Sequence, residues 1–229
     1  MRQHDQNSKI PRTGILGGTF DPVHQAHLAM ARRSLQLLEL ETVHFLVSAS
    51  PPHKFKAKRT SPLHRYAMVS LATQGDTRFR PSTLELEEPG IRFTIETLAR
   101  FCQLNNLSPR EIVFIAGGDS LRDFHLWKEW ERLLDTYFFL FVLRPGIILD
   151  KEVTSLLESE IIPDLRGLEP DAIRSSFLQT GRSALVDLEM PDISSTKIRH
   201  MLELKQDCRD MIPPAVLDYI EKMELYGGQ

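Results

Sequence analysis

The chain has few of the features that mark several large classes of protein. It contains only two cysteines, so we expect no disulfide framework, and no paired-cysteine spacing indicates a structural zinc site. No stretch approaches the roughly 18 consecutive apolar residues that a membrane-spanning helix needs. The net charge of −3 argues against a nucleic-acid binder held by overall positive charge. An ordinary share of apolar and charged residues excludes a disordered or collagen-like chain.

The N-terminal end also lacks a targeting pattern. Residues 1–12 are polar and contain no apolar run, so they are neither a secretory signal nor a membrane anchor. We expect them to form a disordered tail, followed by a single domain over residues 13–229, because no linker divides the rest of the chain. We therefore expect a cytoplasmic protein that binds neither membranes nor nucleic acids.

Short apolar segments alternate with helical patterns along most of the chain, which predicts βαβ units around a buried, mostly parallel sheet. The ligand crevice of such a fold lies at the carboxyl ends of the strands, where the strand order reverses. The region Leu149–Gly181 has no clear pattern and reads as an irregular insertion. The predicted strands are Gly14–Leu16, Val43–Val47, Ile112–Ala116 and Tyr137–Leu143, and the predicted helices cover Pro22 to about Leu40, a segment after Pro62, Thr94–Leu104 and Trp127–Leu134.

The strongest local pattern lies where the first strand should end, in the segment Gly17–Leu28. Gly17 and Gly18 allow the backbone to approach a ligand closely. Asp21 is a suitable N-cap, and Pro22 suits the first helical position, where a missing N–H costs nothing. The segment therefore predicts a strand, a turn and a helix start directed at an anion.

Two histidines lie in the same segment. At 100° per residue His24 and His27 share the apolar face of the predicted helix, which places both imidazoles over the strand ends. Two other interpretations exist: each histidine can satisfy a local hydrogen bond, or the pair can ligate zinc. No Glu lies between them, the spacing is i, i+3, and no third ligand is evident, so the sequence does not favour a metal site.

A basic loop follows the second predicted strand. No acidic residue occurs between Glu41 and Asp76, and Lys54 stands directly after the segment Pro51–His53. Lysines at the carboxyl edge of the sheet, near a helix N-terminus, suit a polyphosphate. The alternative is a solvated loop whose lysines only keep it in solution.

A third pattern, Ile193–Arg199, precedes a helix near the C-terminus. Either Ser194 or Ser195 can cap that helix, and Arg199 lies one turn after Ser195, where it can reach the same anion. An ordinary capped helix with a surface arginine is the alternative. The three patterns together describe a phosphate site without an evident nucleophile or Walker sequence, which fits nucleotidyl transfer between two bound phosphates.

These motifs resemble those of the adenylyltransferase/cytidylyltransferase superfamily. The segment Gly17–Leu28 looks like its nucleotide signature with the His-x-x-His motif, and Ile193–Arg199 resembles its second ATP-binding signature. The motifs between them are similar to those of the superfamily's pyridine-nucleotide branch, the bacterial nicotinate-nucleotide adenylyltransferases. They are Pro51–Lys54, Phe93–Leu98, Gly117–Leu121 followed by Trp127, and Arg144–Gly146.

The resemblance implies a Rossmann-like, doubly wound sheet and transfer of AMP from ATP to nicotinate mononucleotide, with Mg²⁺ carried on the ATP phosphates. It implies a catalytic group of His24, His27, Lys54 and Arg199. The residues that it places on ATP are Gly17, Gly18, Thr19, Phe20, Ile193, Ser194, Ser195 and Thr196. The residues that it places on the mononucleotide or in the dinucleotide pocket are Thr94, Gly118, Asp119, Trp127 and Arg144.

The chain departs from the family pattern at two positions. Ala26 replaces a usual Gly, so its methyl would crowd the adenine, and Phe93 replaces a usual Tyr and lacks the hydroxyl. Two other functions stay open: another adenylyl- or cytidylyltransferase, such as one acting on phosphopantetheine or glycerol phosphate, and a nucleotide sensor without catalysis. Trp127 and Trp130 also have an alternative role as core residues.

Overall fold

The computed structural model describes residues 11–49, 60–87, 93–143, 161–180 and 183–227. Within these ranges, parallel strands alternate with helices as the sequence predicts. The strands are β1 (Thr13–Gly18), β2 (Thr42–Val47), β3 (Phe79–Ser82), β4 (Ile112–Gly117), β5 (Phe138–Leu143) and β6 (Ala184–Asp187). The helices are α1 (Gln25–Leu37), α2 (Pro62–Thr73), α3 (Thr94–Asn105), α4 (Asp119–Arg122), α5 (Trp130–Thr136), α6 (Pro170–Thr180), α7 (Ser195–Glu203) and α8 (Pro214–Lys222), with 3₁₀ turns at Pro109–Glu111 and Phe124–Leu126.

The strands form one six-stranded sheet in the order β3-β2-β1-β4-β5-β6, and every strand pair is parallel. From β1 the chain moves outward to β2 and β3, then returns to place β4 on the other side of β1. The strand order therefore reverses between β1 and β4, which defines the ligand crevice of a doubly wound sheet. The sheet confirms the α/β fold that the sequence predicts.

Apolar side chains alternate between the two faces of the sheet because successive residues of a strand point in opposite directions. On β5, Phe138, Leu140 and Val142 pack on one face with residues of α1, α6 and α8. Phe139 and Phe141 pack on the other face with residues of α3 and α5. Helices therefore cover both faces, and the strands are buried on both sides.

Two of the predicted helix boundaries are wrong. Helix α1 begins at Gln25 with His24 as its N-cap and ends at Leu37, whereas the sequence predicts Asp21 as the cap and Pro22 as the first helical residue. Asp21 is instead engaged in tertiary hydrogen bonds, which are described below. The predicted helix Trp127–Leu134 begins at Trp130, because Trp127 has extended backbone after the turn Phe124–Leu126.

Several described elements have no counterpart among the sequence predictions, among them β3, β6, α4, α6 and α8. Strands β3 and β6 each have only four residues and form the two edges of the sheet, and β3 contains Pro81. Short edge strands with proline carry a weak periodicity signal. Helix α6 lies in the region that we expected to be irregular, and Asp164 of that region pairs with Leu185 of β6. Residues 149–160 and 181 lie outside the described residues.

The N-terminal end of the described chain joins the sheet. The N–H of Arg12 donates to the carbonyl of Glu111, and the N–H of Glu41 donates to the carbonyl of Arg12. Residues 1–10, which make up most of the predicted tail, lie outside the described ranges. No helix within those ranges is both long and apolar enough to cross a membrane.

Gly17 is required by packing at the end of β1. A Cβ built at this residue would lie 2.4 Å from Cζ of Phe114 on the neighbouring strand β4. The Phe114 ring has little room to move, because it is buried and contacts Trp127 and Phe139. Glycine therefore allows an aromatic ring to lie across the end of the central strand.

We expect Gly17→Ala to lower the free energy of unfolding by about 1 to 3 kcal/mol, the usual cost of adding a methyl group to a filled site. Urea unfolding measures this change. Gly117→Ala is the matched control, because a Cβ at that strand end meets no atom within 4 Å. A Gly17→Ala protein as stable as the control would contradict this account of the packing.

Candidate active site

A cavity of about 460 Å³ opens at the carboxyl ends of the central strands. Gly17 and Gly18 of β1 line it from one side, and Phe114 and Ala116 of β4 from the other. The cavity therefore lies where the strand order reverses. It brings together six of the predicted site residues, namely Gly17, Gly18, Thr19, Thr94, Asp119 and Trp127.

The N-terminus of α3 forms one wall of the cavity. Phe93, its N-cap, and Thr94, its first residue, both line the cavity. Helix geometry leaves the first N–H groups of such a helix without an acceptor inside the helix, so this wall favours an anionic group. The ammonium group of Lys128 lies 4.6 Å from the centre of the Phe93 ring and adds positive charge, although it also pairs with Glu96 at 2.5 Å.

Trp127 is half-buried and lines the same cavity. Its ring packs against Phe124 at a centroid distance of 5.1 Å and against Phe114 at 6.1 Å, which leaves part of its surface facing the cavity. Trp130 is also half-buried, contacts Phe124 and does not line this cavity. The structure thus separates the two tryptophans, and only Trp127 can contact a ligand in the cavity.

The histidine pair lies at the start of α1. The rings of His24 and His27 stack with a centroid distance of 3.8 Å, and the backbone N–H of His24 donates to Nδ1 of His27 at 3.2 Å. Since Nδ1 of His27 accepts a hydrogen bond, the proton of the neutral ring belongs on Nε2. His27 is therefore oriented as an Nε2–H donor, whereas the His24 ring is almost fully buried.

The ring of Phe20 connects the histidines to the cavity. Phe20 has a left-handed backbone conformation, with φ of 51°, and its ring packs edge-on against His27 at 4.9 Å. A Cβ on Gly18 would lie 2.7 Å from Cζ of Phe20, so this second glycine leaves room for the ring. The cavity wall and the first turn of α1 are therefore in contact through one aromatic side chain.

The N-terminus of helix α7 lies against the turn that precedes α1. Ser194 is its N-cap and accepts from the N–H of Lys197 at 3.2 Å, which resolves the choice between the two serines. Ser195 Oγ instead donates to the carbonyl of Pro22 at 3.0 Å. Two helix N-termini, those of α1 and α7, therefore lie side by side, an arrangement that attracts phosphate groups.

Arg199 of α7 is fixed by the turn before α1. Its Nη1 donates to the carbonyl of Asp21 at 2.7 Å, and its Nη2 lies 3.4 Å from Oγ1 of Thr196. A guanidinium group has five N–H donors, more than these two contacts use, so Arg199 can also donate to a bound anion.

Asp21 also holds two further segments through its carboxylate. Oδ1 accepts from the hydroxyl of Tyr226 at 2.5 Å, and Oδ2 accepts from the N–H of Thr60 at 3.4 Å. Burial, and then the neighbouring Asp21 carboxylate, raise the pKa of Tyr226 well above its usual range, so this hydroxyl stays protonated and donates. The sequence motifs gave no sign of Tyr226.

Arg65 is another residue whose part the sequence does not reveal. Its guanidinium is almost fully buried and donates to the carbonyls of Thr19 at 2.6 Å, Thr60 at 3.1 Å and Ala49 at 3.2 Å. It thereby ties the end of β1 to both ends of the segment 50–59. Arg65 belongs to the basic stretch between Glu41 and Asp76, and the structure places it inside the fold.

Several other predicted site residues have different positions. Lys54 and Arg144 lie outside the described residues. Gly118 is buried against Leu143 and does not line the cavity, and Ile193 is buried before α7. The methyl group of Ala26 is buried in the core and does not line the cavity either. Among the described residues, no group of three or more His, Cys, Asp or Glu is placed to hold a metal ion.

The fold and this site define a nucleotide-binding α/β protein: a parallel doubly wound sheet with two helix N-termini, a histidine pair and an arginine beside the crevice. The sequence profile of the family described as Cytidylyltransferase-like matches residues 15–201. Relatives that match nearly the whole chain are named probable nicotinate-nucleotide adenylyltransferases. The chain belongs to the cytidylyltransferase-like family, and within it to the nicotinate-nucleotide adenylyltransferases.

Two relatives show the extent of the similarity. The protein of Desulfitobacterium hafniense strain Y51 is 34% identical over 221 residues, which cover 96% of this chain and 98% of that protein. A protein of Thermus thermophilus is 37% identical over 218 residues, which cover 94% of this chain and 99% of that protein. The two chains thus align with this one almost from end to end.

A solved structure has the same fold. The nicotinic acid mononucleotide adenylyltransferase of Plasmodium falciparum, in its complex with NaAD, superposes with a TM-score of 0.70 at 21% identity. The match covers 94% of this chain and 97% of that one. The comparison confirms the Rossmann-like architecture.

Proposed function

We propose that this chain transfers AMP from ATP to nicotinate mononucleotide and forms deamido-NAD and pyrophosphate, a step of NAD biosynthesis. The observation that carries the proposal is the cavity between β1 and β4, which joins Thr94 and Trp127 to the Gly17–Gly18 turn and, through Phe20, to His27. The cavity offers room for a pyridine ring, and beyond its Gly17–Gly18 wall lie His27, Arg199 and the N-terminus of α7, which suit phosphates. The nearly full-length relatives named for this reaction support it.

The reaction needs no enzyme nucleophile. A phosphate oxygen of the mononucleotide attacks the α-phosphorus of ATP in line, a new P–O bond forms, and the bond to the bridging oxygen of pyrophosphate breaks. Negative charge increases on the oxygens of the pentacoordinate phosphorus and on the leaving pyrophosphate. The chain has to align the two phosphates and place hydrogen-bond donors where that charge develops.

The described residues can supply those donors. His27 offers Nε2–H because its Nδ1 is engaged by the backbone of His24. Arg199 offers further N–H groups from the first turns of α7, and the N-terminus of α7 adds backbone donors. We propose that these groups, together with Lys54, act on ATP and the transition state. Gly17, Gly18, Thr19, Phe20 and Ile193–Thr196 would form the rest of the ATP site.

Trp127 and Thr94 would hold the nicotinate ring. The indole would stack on the pyridine, and the N–H groups at the N-terminus of α3 would donate hydrogen bonds to the carboxylate. Gly118, Asp119 and Arg144 would complete the dinucleotide pocket, with Asp119 on the cavity wall and Gly118 buried behind it.

Mg²⁺ would be supplied with the ATP phosphates. A hard cation of this type is usually bound by substrate phosphates and water, with one or two carboxylates at most. The buried carboxylate of Asp21 already accepts hydrogen bonds from Tyr226 and Thr60. These residues therefore suit an ion that the nucleotide phosphates hold, because such an ion needs few protein ligands. The ion would neutralise phosphate charge. We also propose that the enzyme works in the cytoplasm, where ATP and Mg²⁺ are abundant.

Another nucleotidyltransferase of the same superfamily, or a catalytically silent sensor, would use the same ATP site. Trp127 and the α3 N-terminus disfavour a phosphopantetheine or glycerol phosphate acceptor, because both suit an aromatic acid. A sensor would not need His27 oriented as a donor.

A panel of acceptor substrates tests the proposal directly. We expect ATP-dependent pyrophosphate release with nicotinate mononucleotide and a lower kcat/KM with nicotinamide mononucleotide. The amide NH₂ is a donor and would face the donors of the α3 N-terminus, whereas a carboxylate only accepts. Equal kcat/KM values for the two mononucleotides would contradict the nicotinate site. Activity with phosphopantetheine alone would show that the acceptor substrate is phosphopantetheine and not the mononucleotide.

Substitution of His27 tests the proposed charge stabilisation. We expect His27→Ala to lower kcat by about 10²- to 10³-fold, the usual loss for one transition-state donor. His27→Gln should lose less, because its amide can still donate. Thermal melting shows whether the His27→Ala protein is folded. A folded variant with near-normal kcat would exclude His27 as a donor to the transition state.

Two further variants separate the halves of the site. Trp127→Ala should raise KM for the mononucleotide by about 5- to 10-fold and change KM for ATP little, because a stacked ring is lost. Arg199→Ala should have the opposite selectivity. Trp130→Ala is the matched control for a half-buried tryptophan outside the cavity. A Trp127→Ala protein that only melts at a lower temperature, as the control should, would assign Trp127 to the core.

A further inference from the structure

The segment after the last helix returns to the nucleotide site. Helix α8 ends at Lys222, and the N–H of Leu225 then donates to the carbonyl of Ile220 at 3.0 Å, which turns the chain back. Glu224 and Tyr226 both have left-handed backbone conformations, which non-glycine residues seldom adopt outside turns and constrained sites. The result is that the Tyr226 side chain reaches Asp21, 205 residues earlier in the sequence.

The contact between the two side chains is short and shielded from water. The Tyr226 hydroxyl lies 2.5 Å from Oδ1 of Asp21, and only 4% of Asp21 is exposed. A hydrogen bond from a neutral hydroxyl to a buried carboxylate is strong, because the charge has few other partners. The second carboxylate oxygen faces the N–H of Thr60. The orientation of Asp21 is therefore set by Tyr226 and Thr60 together.

Asp21 in turn fixes the groups that we assign to ATP. Its carbonyl accepts from Arg199, and the next carbonyl along the chain, that of Pro22, accepts from Ser195. A rotation of the Asp21 backbone would move both acceptors and, with them, the N-terminus of α7. Thr60, the other partner of the carboxylate, directly follows the segment that contains Lys54.

We propose that Tyr226 is a positioning residue for the ATP half of the site and acts through Asp21. The hydroxyl holds the Asp21–Pro22 turn in the orientation in which Arg199 and Ser195 meet it. This inference rests on the proposed function for the identity of the nucleotide, and it assigns to the C-terminal segment a part in catalysis that no sequence motif indicates.

Tyr226→Phe tests the proposal, since it keeps the ring and removes only the hydroxyl. We expect the Kd of a non-hydrolysable ATP analogue, measured by calorimetry, and KM for ATP to rise by about 5- to 20-fold. KM for nicotinate mononucleotide should change less than about twofold. A second substitution tests whether Tyr226 acts through Asp21. Asp21→Ala should weaken binding of the analogue by a similar factor. Adding Tyr226→Phe to Asp21→Ala should weaken it little further, because the effects of residues that act as one unit are not additive.

Tyr219→Phe is the matched control, because it removes a hydroxyl of α8 that shares a hydrogen bond with Nδ1 of His64 at 2.8 Å and does not contact Asp21. It should leave the affinity for the analogue unchanged. Three results would overturn the proposal: unchanged affinity in Tyr226→Phe, an equal loss for both substrates with a lower melting temperature, or additive effects of the two substitutions. Because analogue binding needs no turnover, a chain inactive with nicotinate mononucleotide would reject the proposed function and still test Tyr226.

Discussion

The active-site end of the sheet depends on one buried acidic residue at the turn between β1 and α1. The carboxylate of Asp21 accepts from Tyr226 and Thr60, and its carbonyl accepts from Arg199. A buried carboxylate without partners would be costly, so these donors are needed for the chain to fold with Asp21 inside. The same hydrogen bonds join the end of β1 to α7, to the start of α2 and to the C-terminal segment. Stability and the geometry of the proposed ATP site therefore depend on the same contacts.

The substrate cavity has a different origin, in the contrast between glycine and aromatic side chains. Gly17 and Gly18 leave room for the rings of Phe114 and Phe20. The Phe114 ring lines the cavity, and the buried Phe20 ring packs behind the Gly18 wall against His27. Arg65 also donates a hydrogen bond to the carbonyl of Thr19 in the same turn. These contacts hold the turn in place without a ligand, which reduces the ordering that substrate binding would otherwise require.

Much of the site could be predicted from local sequence. Glycines at a strand end, histidines at a helix start and a serine cap before Arg199 each act through residues close in the chain, so their spacing indicates their chemistry. The helix boundaries at Asp21 and Trp127 could not be predicted in this way. Asp21 is a residue type that favours the N-cap position, but its carboxylate accepts hydrogen bonds from Tyr226 and Thr60. His24 is the N-cap of α1 instead. Tertiary partners outweighed a local preference.

The sequence by itself determined the alternation of strands and helices, the parallel sheet, the glycine turn and the serine cap before Arg199, because hydrophobic periodicity and capping act over a few residues. Only the tertiary structure decided which of those residues meet. It separated Trp127 from Trp130, chose Ser194 over Ser195 as the cap, buried the Ala26 methyl in the core and brought Tyr226 to Asp21. Such contacts join residues that are distant in the chain, and their positions follow from how the helices pack on the completed sheet.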